Sequence, residues 1–314
     1  MIAKSTLVVS LFVLSMTFAS SLAADSSGNQ STPPMQAIAA AIKKVVFTPS
    51  TPMPAKNTIP EQIVEEQDAL VFTAPPRETS EVAKETYQPV AAYLSQVIGR
   101  KVRYKYPGTW GVYRTEMLQG GYDIIFDGPH FNSYRMEKLS HNILVKIPER
   151  HEFAVIVKKD SKPFQNVRQM AGRTFCTHAP PNLGTLVLLG QFDNPSRQPV
   201  IINTKGWDKI YAGVVAGKCV GGILPVLNLK KYDNTGLTRI VFKTPAMPNQ
   251  AFSAGPRVSP EDQAKIAQAL ASADASGPTE KLRAAYKVGD SFSLANNQEY
   301  SGLAEYLRNE WGYY

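Results

Sequence analysis

The sequence predicts an α/β protein built from two successive α/β units. Short apolar runs alternate with segments of helical spacing, and the order strand, helix, strand, helix, strand is met twice. With 43% hydrophobic and 10% aromatic residues in 314, the chain can fill packed cores. That composition excludes a wholly disordered chain, a collagen-like fibre and a small disulfide-stapled scaffold. The net charge of +8 comes without a dense Lys/Arg block, so nucleic acid is not expected as a partner.

The N-terminus reads as an address. Lys4 precedes a short apolar run over residues 7–19, and Ser21-Leu22-Ala23 places small residues at the cleavage-defining positions, so residues 1–23 are expected to be a secretory signal peptide. The run is short for a membrane span of about 20 residues. Residues 24–66, rich in Ser, Pro, Gln and Ala, read as a flexible leader with a short helix over 37–46. An exported protein meets oxidising conditions, where a pair of cysteines is more often bridged than free. Cys176 and Cys219 form no CxxC, and His178 alone does not complete a metal set, so a disulfide is favoured over a zinc site or a nucleophile.

The first unit opens with the buried strand Ala69-Leu70-Val71-Phe72, closed by Thr73-Ala74-Pro75-Pro76. Ala83, Tyr87, Val90, Ala91, Leu94, Val97 and Ile98 follow at helical spacing, with Ser80 as N-cap, Gly99 past the end and Pro89 as a kink or first turn. Val102, Tyr104 and Tyr106 alternate with basic residues as a strand; 112–118 is helical and 122–126 a strand. The second unit runs from an extended segment at 151–158 through strand 174–176, helix 183–192, strand 200–203, helix 207–216 and strand 220–224. The tail is expected to be helical over 260–271, 279–286 and 303–311, with Tyr313 and Tyr314 an exposed end.

No GxSxG, Walker A loop or GxGxxG occurs, and His130, His141, His151 and His178 are scattered, so no catalytic residue, cofactor or metal is assigned. Three loops follow predicted strands, where ligands bind in open α/β sheets: Thr73-Ala74-Pro75, Asp127-Gly128-Pro129-His130, and residues 177–185. Trp110 and Tyr113 offer an aromatic wall, beside which Arg114 is either a counter-ion or a solvated helix-start residue. Trp207 is expected to pack at its helix start.

The stretches VFTAPPRETSEVAKETYQPVAAYLSQVIGRKVRY, GGYDIIFDGPHFNSYRMEK and EFAVIVKKDSKPFQNVRQMAGRTFCTHAPPNLGT resemble the phosphate/phosphonate-type substrate-binding proteins of ABC importers, from about residue 68 to the late 270s. The resemblance implies a two-lobed type II periplasmic-binding-protein fold with a hinge and an interlobe cleft. Lobe one would be residues 67–155 plus 246–314 and lobe two 156–245, with crossings near Val157 and Thr244. It implies a periplasmic protein, most simply a monomer, that holds a small anionic ligand and delivers it to an ABC permease without catalysis. An enzyme on the same fold, pairing His178 with Asp127, and a ligand-sensing subunit are the alternatives. Ligand contacts carried over are Thr73, Ala74 and Tyr113 on one wall, Asp127, Gly128, Pro129 and His130 in the facing loop, and Thr177, His178, Asn182, Gly184 and Thr185 on the other. The family's Ser/Gly-rich anion loop reads THAPPNLGT here, with only Thr177 and Thr185 as hydroxyls. His178 and Asn182 therefore either serve a carboxylate, sulfonate or heterocyclic ligand, or are an exposed polar pair.

Overall fold

The computed structural model describes residues 68–310, 312 and 313; the expected signal peptide, leader and leader helix lie outside them. In chain order the first part holds β1 (Leu70–Thr73), α1 (Ser80–Ile98), β2 (Val102–Tyr104), α2 (Trp110–Leu118), β3 (Ile124–Asp127), α3 (Pro129–Leu139) and β4 (Asn142–Lys146). The middle part holds β5 (Phe153–Lys158), β6 (Thr174–Thr177), α4 (Leu183–Leu189), β7 (Val200–Asn203), α5 (Trp207–Val215), β8 (Gly221–Pro225), α6 (Val226–Tyr232) and β9 (Thr238–Lys243). The last part holds β10 (Ala251–Ala254), α7 (Pro260–Ala271), α8 (Glu280–Tyr286), β11 (Ser293–Leu294), α9 (Asn297–Tyr300) and a 3-10 turn, Leu303–Leu307.

These strands form two mixed sheets, ordered β11-β4-β10-β3-β1-β2 and β7-β6-β8-β5-β9. Each has a parallel core, β2-β1-β3 or β7-β6-β8, made by βαβ crossovers. Each parallel core is then continued by an antiparallel strand, β10 or β5, that has just arrived from the other sheet. The central strands β1, β3, β8 and β10 are buried at every position because both faces are covered. In β1 the two-residue period sends Leu70 and Phe72 to one core and Val71 to another. In β5 it divides Phe153, Val155 and Val157 from Ala154 and Ile156.

The chain leaves the first sheet after Lys146 and enters the second at Phe153. The first crossing thus lies ahead of Val157, where the sequence put it, because the apolar run around Val157 is a sheet interior. The return follows Lys243 and includes Thr244. The two crossings pair with each other: Ile147 N–H donates to Gln250 O at 2.9 Å, and His151 and Met247 exchange backbone bonds of 2.9 and 3.0 Å. This two-strand ribbon is the covalent link between the sheets.

Two local expectations change. Thr79, not Ser80, caps α1, its side chain accepting from Val82 N–H, and Gly99 ends the helix at φ 64°. Pro89 stands in the middle of α1 rather than in its first turn. It lies on the exposed side, where the carbonyl its ring leaves unpaired can reach water. Cys176 of β6 and Cys219 form a disulfide with Cα atoms 5.6 Å apart, inside a small core with Ile210.

Candidate ligand-binding site

The C-terminal ends of β1 and β3 and the start of α3 build one wall. Asp127, the last residue of β3, is fully buried. Its Oδ1 accepts from Arg77 Nη2 at 2.8 Å and from Gly128 N–H at 2.6 Å. Its Oδ2 accepts from the Tyr113 hydroxyl at 2.5 Å and from Arg135 Nη1 at 3.1 Å. Arg135, also fully buried, donates further to the Tyr113 hydroxyl, to Asn132 Oδ1 at 2.6 Å and to Ser253 Oγ. Burial alone would raise the Asp127 pKa, but the Arg77 and Arg135 guanidiniums hold it below the ordinary carboxylate value. The hub is therefore ionised and its acceptors are committed inside the protein.

Arg77 is the outward half of this hub. Its side chain is 28% exposed, its guanidinium lies 5.8 Å from the Trp110 ring centre, and Nη1 donates to the Tyr286 hydroxyl at 3.3 Å. Burial opposes its charge, but Tyr286 and Asp127 outweigh that effect and keep it cationic. The cation over Trp110 is thus Arg77 rather than Arg114.

The loop after β6 builds the facing wall. Thr177 and Thr185 are buried; their hydroxyls lie 2.8 Å apart, and Thr185 Oγ1 donates to His178 O at 2.6 Å. Asn182 caps α4, its Oδ1 accepting from Thr185 N–H. Gly184 lies against Phe153: a Cβ there would sit 2.7 Å from the ring. The His178 ring packs edge-on to Trp207, centres 4.3 Å apart, which places Trp207 at its helix start and in the site wall.

The walls meet where His130 Nε2–H donates to Pro181 O at 3.0 Å. That bond fixes the tautomer and leaves Nδ1 as a buried acceptor with no partner among the described residues. Burial lowers His130 to about 4 and His151 to about 4, and lowers His178 as well; the Arg77 charge adds to the effect on all three. Three neutral imidazoles, one from each wall and one from the hinge ribbon, therefore lie within electrostatic reach of the Arg77 cation.

The structure brings the predicted loops together but distributes their work differently. Tyr113 and Asp127 sit in the buried hub, while Thr177 and Thr185 bond to each other. Thr73 Oγ1 donates to Lys105 O at 2.7 Å, and Ala74 is buried beside it. Gly128 caps α3 without a side chain, and Pro129 opens that helix. His178 is not bonded to Asp127, whose four partners are all accounted for. Sequence reasoning missed Arg77 and Arg135. Arg77 stands directly after the Pro75-Pro76 turn, where a lone Arg normally reads as solvated. Tyr313 is not an exposed end: it is 7% exposed and packs 5.7 Å from Phe131 and 5.4 Å from Tyr134 between ring centres. Tyr314 lies outside the described residues.

The family model described as ABC transporter, phosphonate, periplasmic substrate-binding protein matches residues 72–300. No curated protein matches the sequence. A solved Xanthomonas citri protein bound to ATP is similar, with TM-score 0.61 and 12% identity over 77% of this chain and 97% of that one. PhnD1 of Prochlorococcus marinus in complex with methylphosphonate gives 0.57 and 13%, over 77% and 97%. A binding-protein component of an ABC phosphonate transporter from Pseudomonas aeruginosa gives 0.53 and 15%, over 74% and 83%. These likenesses establish the type II periplasmic-binding fold. With the family model spanning most of the described residues, the chain belongs to the periplasmic substrate-binding proteins of ABC phosphonate transporters.

Proposed function

We propose that this protein captures a small phosphonate-like anion between its two sheets and presents it to an ABC permease. One observation carries the reading. Arg77 is the partly exposed cation of the site, anchored on Asp127 and facing neutral His178 across the gap. An anion placed there meets a fixed positive charge, and Asp127 does not compete for it, because both its oxygens are already satisfied. The unpartnered His130 Nδ1 accepts from a ligand hydroxyl, as a singly protonated phosphonate offers. Trp110 and Trp207 supply apolar walls for the organic substituent.

Function follows from closure. The two sheets act as lobes, residues 68–152 with the chain from 246 onward and residues 153–245, the first boundary set ahead of β5 so that the whole strand stays with the second. A ligand touching both walls stabilises the closed arrangement over the open one by the difference in its contacts. A thermal-shift and calorimetric panel of methylphosphonate, other alkylphosphonates, phosphate, sulfonates and carboxylates tests this. Saturable binding of a phosphonate, weakened by Arg77→Ala, supports the reading. Preference for carboxylates, or phosphonate binding indifferent to Arg77, overturns it.

A further inference from the structure

At the end of the second sheet remote from the proposed site lies a cavity of about 640 Å³. In this sheet the site loop follows the C-terminal end of β6, on the same side as the C-terminal end of β8. This cavity instead borders their N-terminal ends, Arg173 and Val220, and the C-terminal end of β5, Lys158. Lys162, Phe164 and Gln169 complete the lining that matters here. Cys219 also borders it, so the disulfide to Cys176 braces one side. No Asp or Glu lines the cavity.

The charge around it is lopsided. Residues 153–243 hold thirteen Lys and Arg against four Asp, a net +9, whereas the whole chain nets +8. All the excess positive charge is therefore in this part. Lys158 pairs with Asp160 at 3.2 Å, but both side chains are largely exposed, which makes that pair weak. Lys162 and Arg173 pair with no carboxylate among the described residues, and Arg239 donates to Lys162 O at 2.8 Å, bringing a fourth cation behind the lining. Like charges gathered round a concavity repel each other in the folded protein and raise the local concentration of an anion.

We propose that this cavity is a second ligand site, separate from the cleft, for a phosphate monoester carrying an apolar group. Arg173 offers a planar fork for two phosphate oxygens, and Lys158 and Lys162 add point charges. Phe164 and Val220 face the apolar substituent. The same chemistry is offered by a soluble ester and by a phosphatidate headgroup.

The test uses the exported chain with Arg77→Ala to silence the proposed cleft, and phenyl phosphate and phosphatidylcholine vesicles containing phosphatidic acid as probes. Calorimetry is expected to show phenyl phosphate binding, and vesicle sedimentation reports the lipid source. Adding Lys162→Ala and Arg173→Ala, both exposed positions, is expected to weaken whichever probe binds by about tenfold or more, with the melting temperature little changed. Phenyl phosphate binding alone assigns a soluble ester; vesicle binding alone assigns a headgroup. If neither probe binds, or if binding is unmoved by the two added substitutions, the proposal is overturned.

Discussion

Asp127 and its two arginines separate structure from recognition within one cluster. Arg135 is sealed in and serves the carboxylate, while Arg77 shares that carboxylate and also faces outward. Arg135→Leu leaves Asp127, Tyr113 and Asn132 short of a buried donor, and removing one partner of a buried ion pair costs about 3–5 kcal/mol. Chemical denaturation is expected to show that loss. Arg77→Ala leaves three donors on Asp127, so its larger effect belongs to binding: about 10–100-fold for methylphosphonate, from one charge-assisted hydrogen bond. Equal stability losses in the two variants would sink the division. The imidazoles give a second prediction at this scale. Burial lowers His130 to about 4 and His141 to about 3, from 6.5. The unfolded chain therefore takes up these protons first on acidification. Stability is full above about pH 6.5 and falls toward pH 4, by on the order of 3 kcal/mol for each buried ring. Melting temperatures from pH 7.5 to 4.5 are expected to decline, and less steeply in His141→Gln. An unchanged slope in that variant would remove His141 from the account.

Among elements, legibility followed whether the buried face was apolar. Helix α1 is legible from its apolar spacing and the Gly99 stop, β2 from its alternation, and the other strands of the parallel cores from their apolar runs. Helix α3 is not legible: its first residues, Pro129 and His130, read as part of a loop and the rest shows no element. Its sequence PHFNSYRMEKL buries His130, Asn132, Ser133 and Arg135 along with Phe131 and Tyr134, so polar residues on the buried side mask its hydrophobic period; Pro129 at its start is the available signal. β4 and β10 pair with each other across more than a hundred residues, which local pattern does not report. The Cys176–Cys219 link was favoured from compartment and parity, and it joins β6 to the turn before β8 across a sequence separation of 43. Loop-closure entropy for that length is worth about 4 kcal/mol. Replacing both cysteines by Ala is expected to lower the melting temperature by on the order of 10 °C. A fall within a degree or two would mean that the packing of Ile210 and Trp207 holds this corner without the bond.

For the whole molecule, the order of elements carried the two-lobed reading, whereas the tail's role was not legible because its contacts depend on where both halves end up. Leu303 and Tyr306 pack against the core of the second sheet and at the same time against clusters of the first, Leu303 beside Ile143 and Tyr300 and Tyr306 in the Tyr113 cluster. Ala304, Leu307 and Tyr313 join a cluster with Tyr113, Phe131 and Tyr134 beside the first sheet, and Leu186 of α4 enters the same cluster. Any opening that separates the halves must strip the tail from one of them, and each apolar side chain exposed costs about 1.5–3 kcal/mol. The tail thus biases the protein toward closure before any ligand arrives. A partner for the closed state that is already in place raises apparent affinity by raising the binding-competent fraction. Replacing Leu303 and Tyr306 together by Ala is expected to increase the radius of gyration of the ligand-free protein in solution scattering. It should also weaken methylphosphonate binding several-fold, and saturating ligand should restore the compact dimension. Unchanged scattering with unchanged affinity would show that the tail packs on both halves without governing their separation; weaker binding at unchanged dimensions would place its effect in the site wall through Phe131 instead.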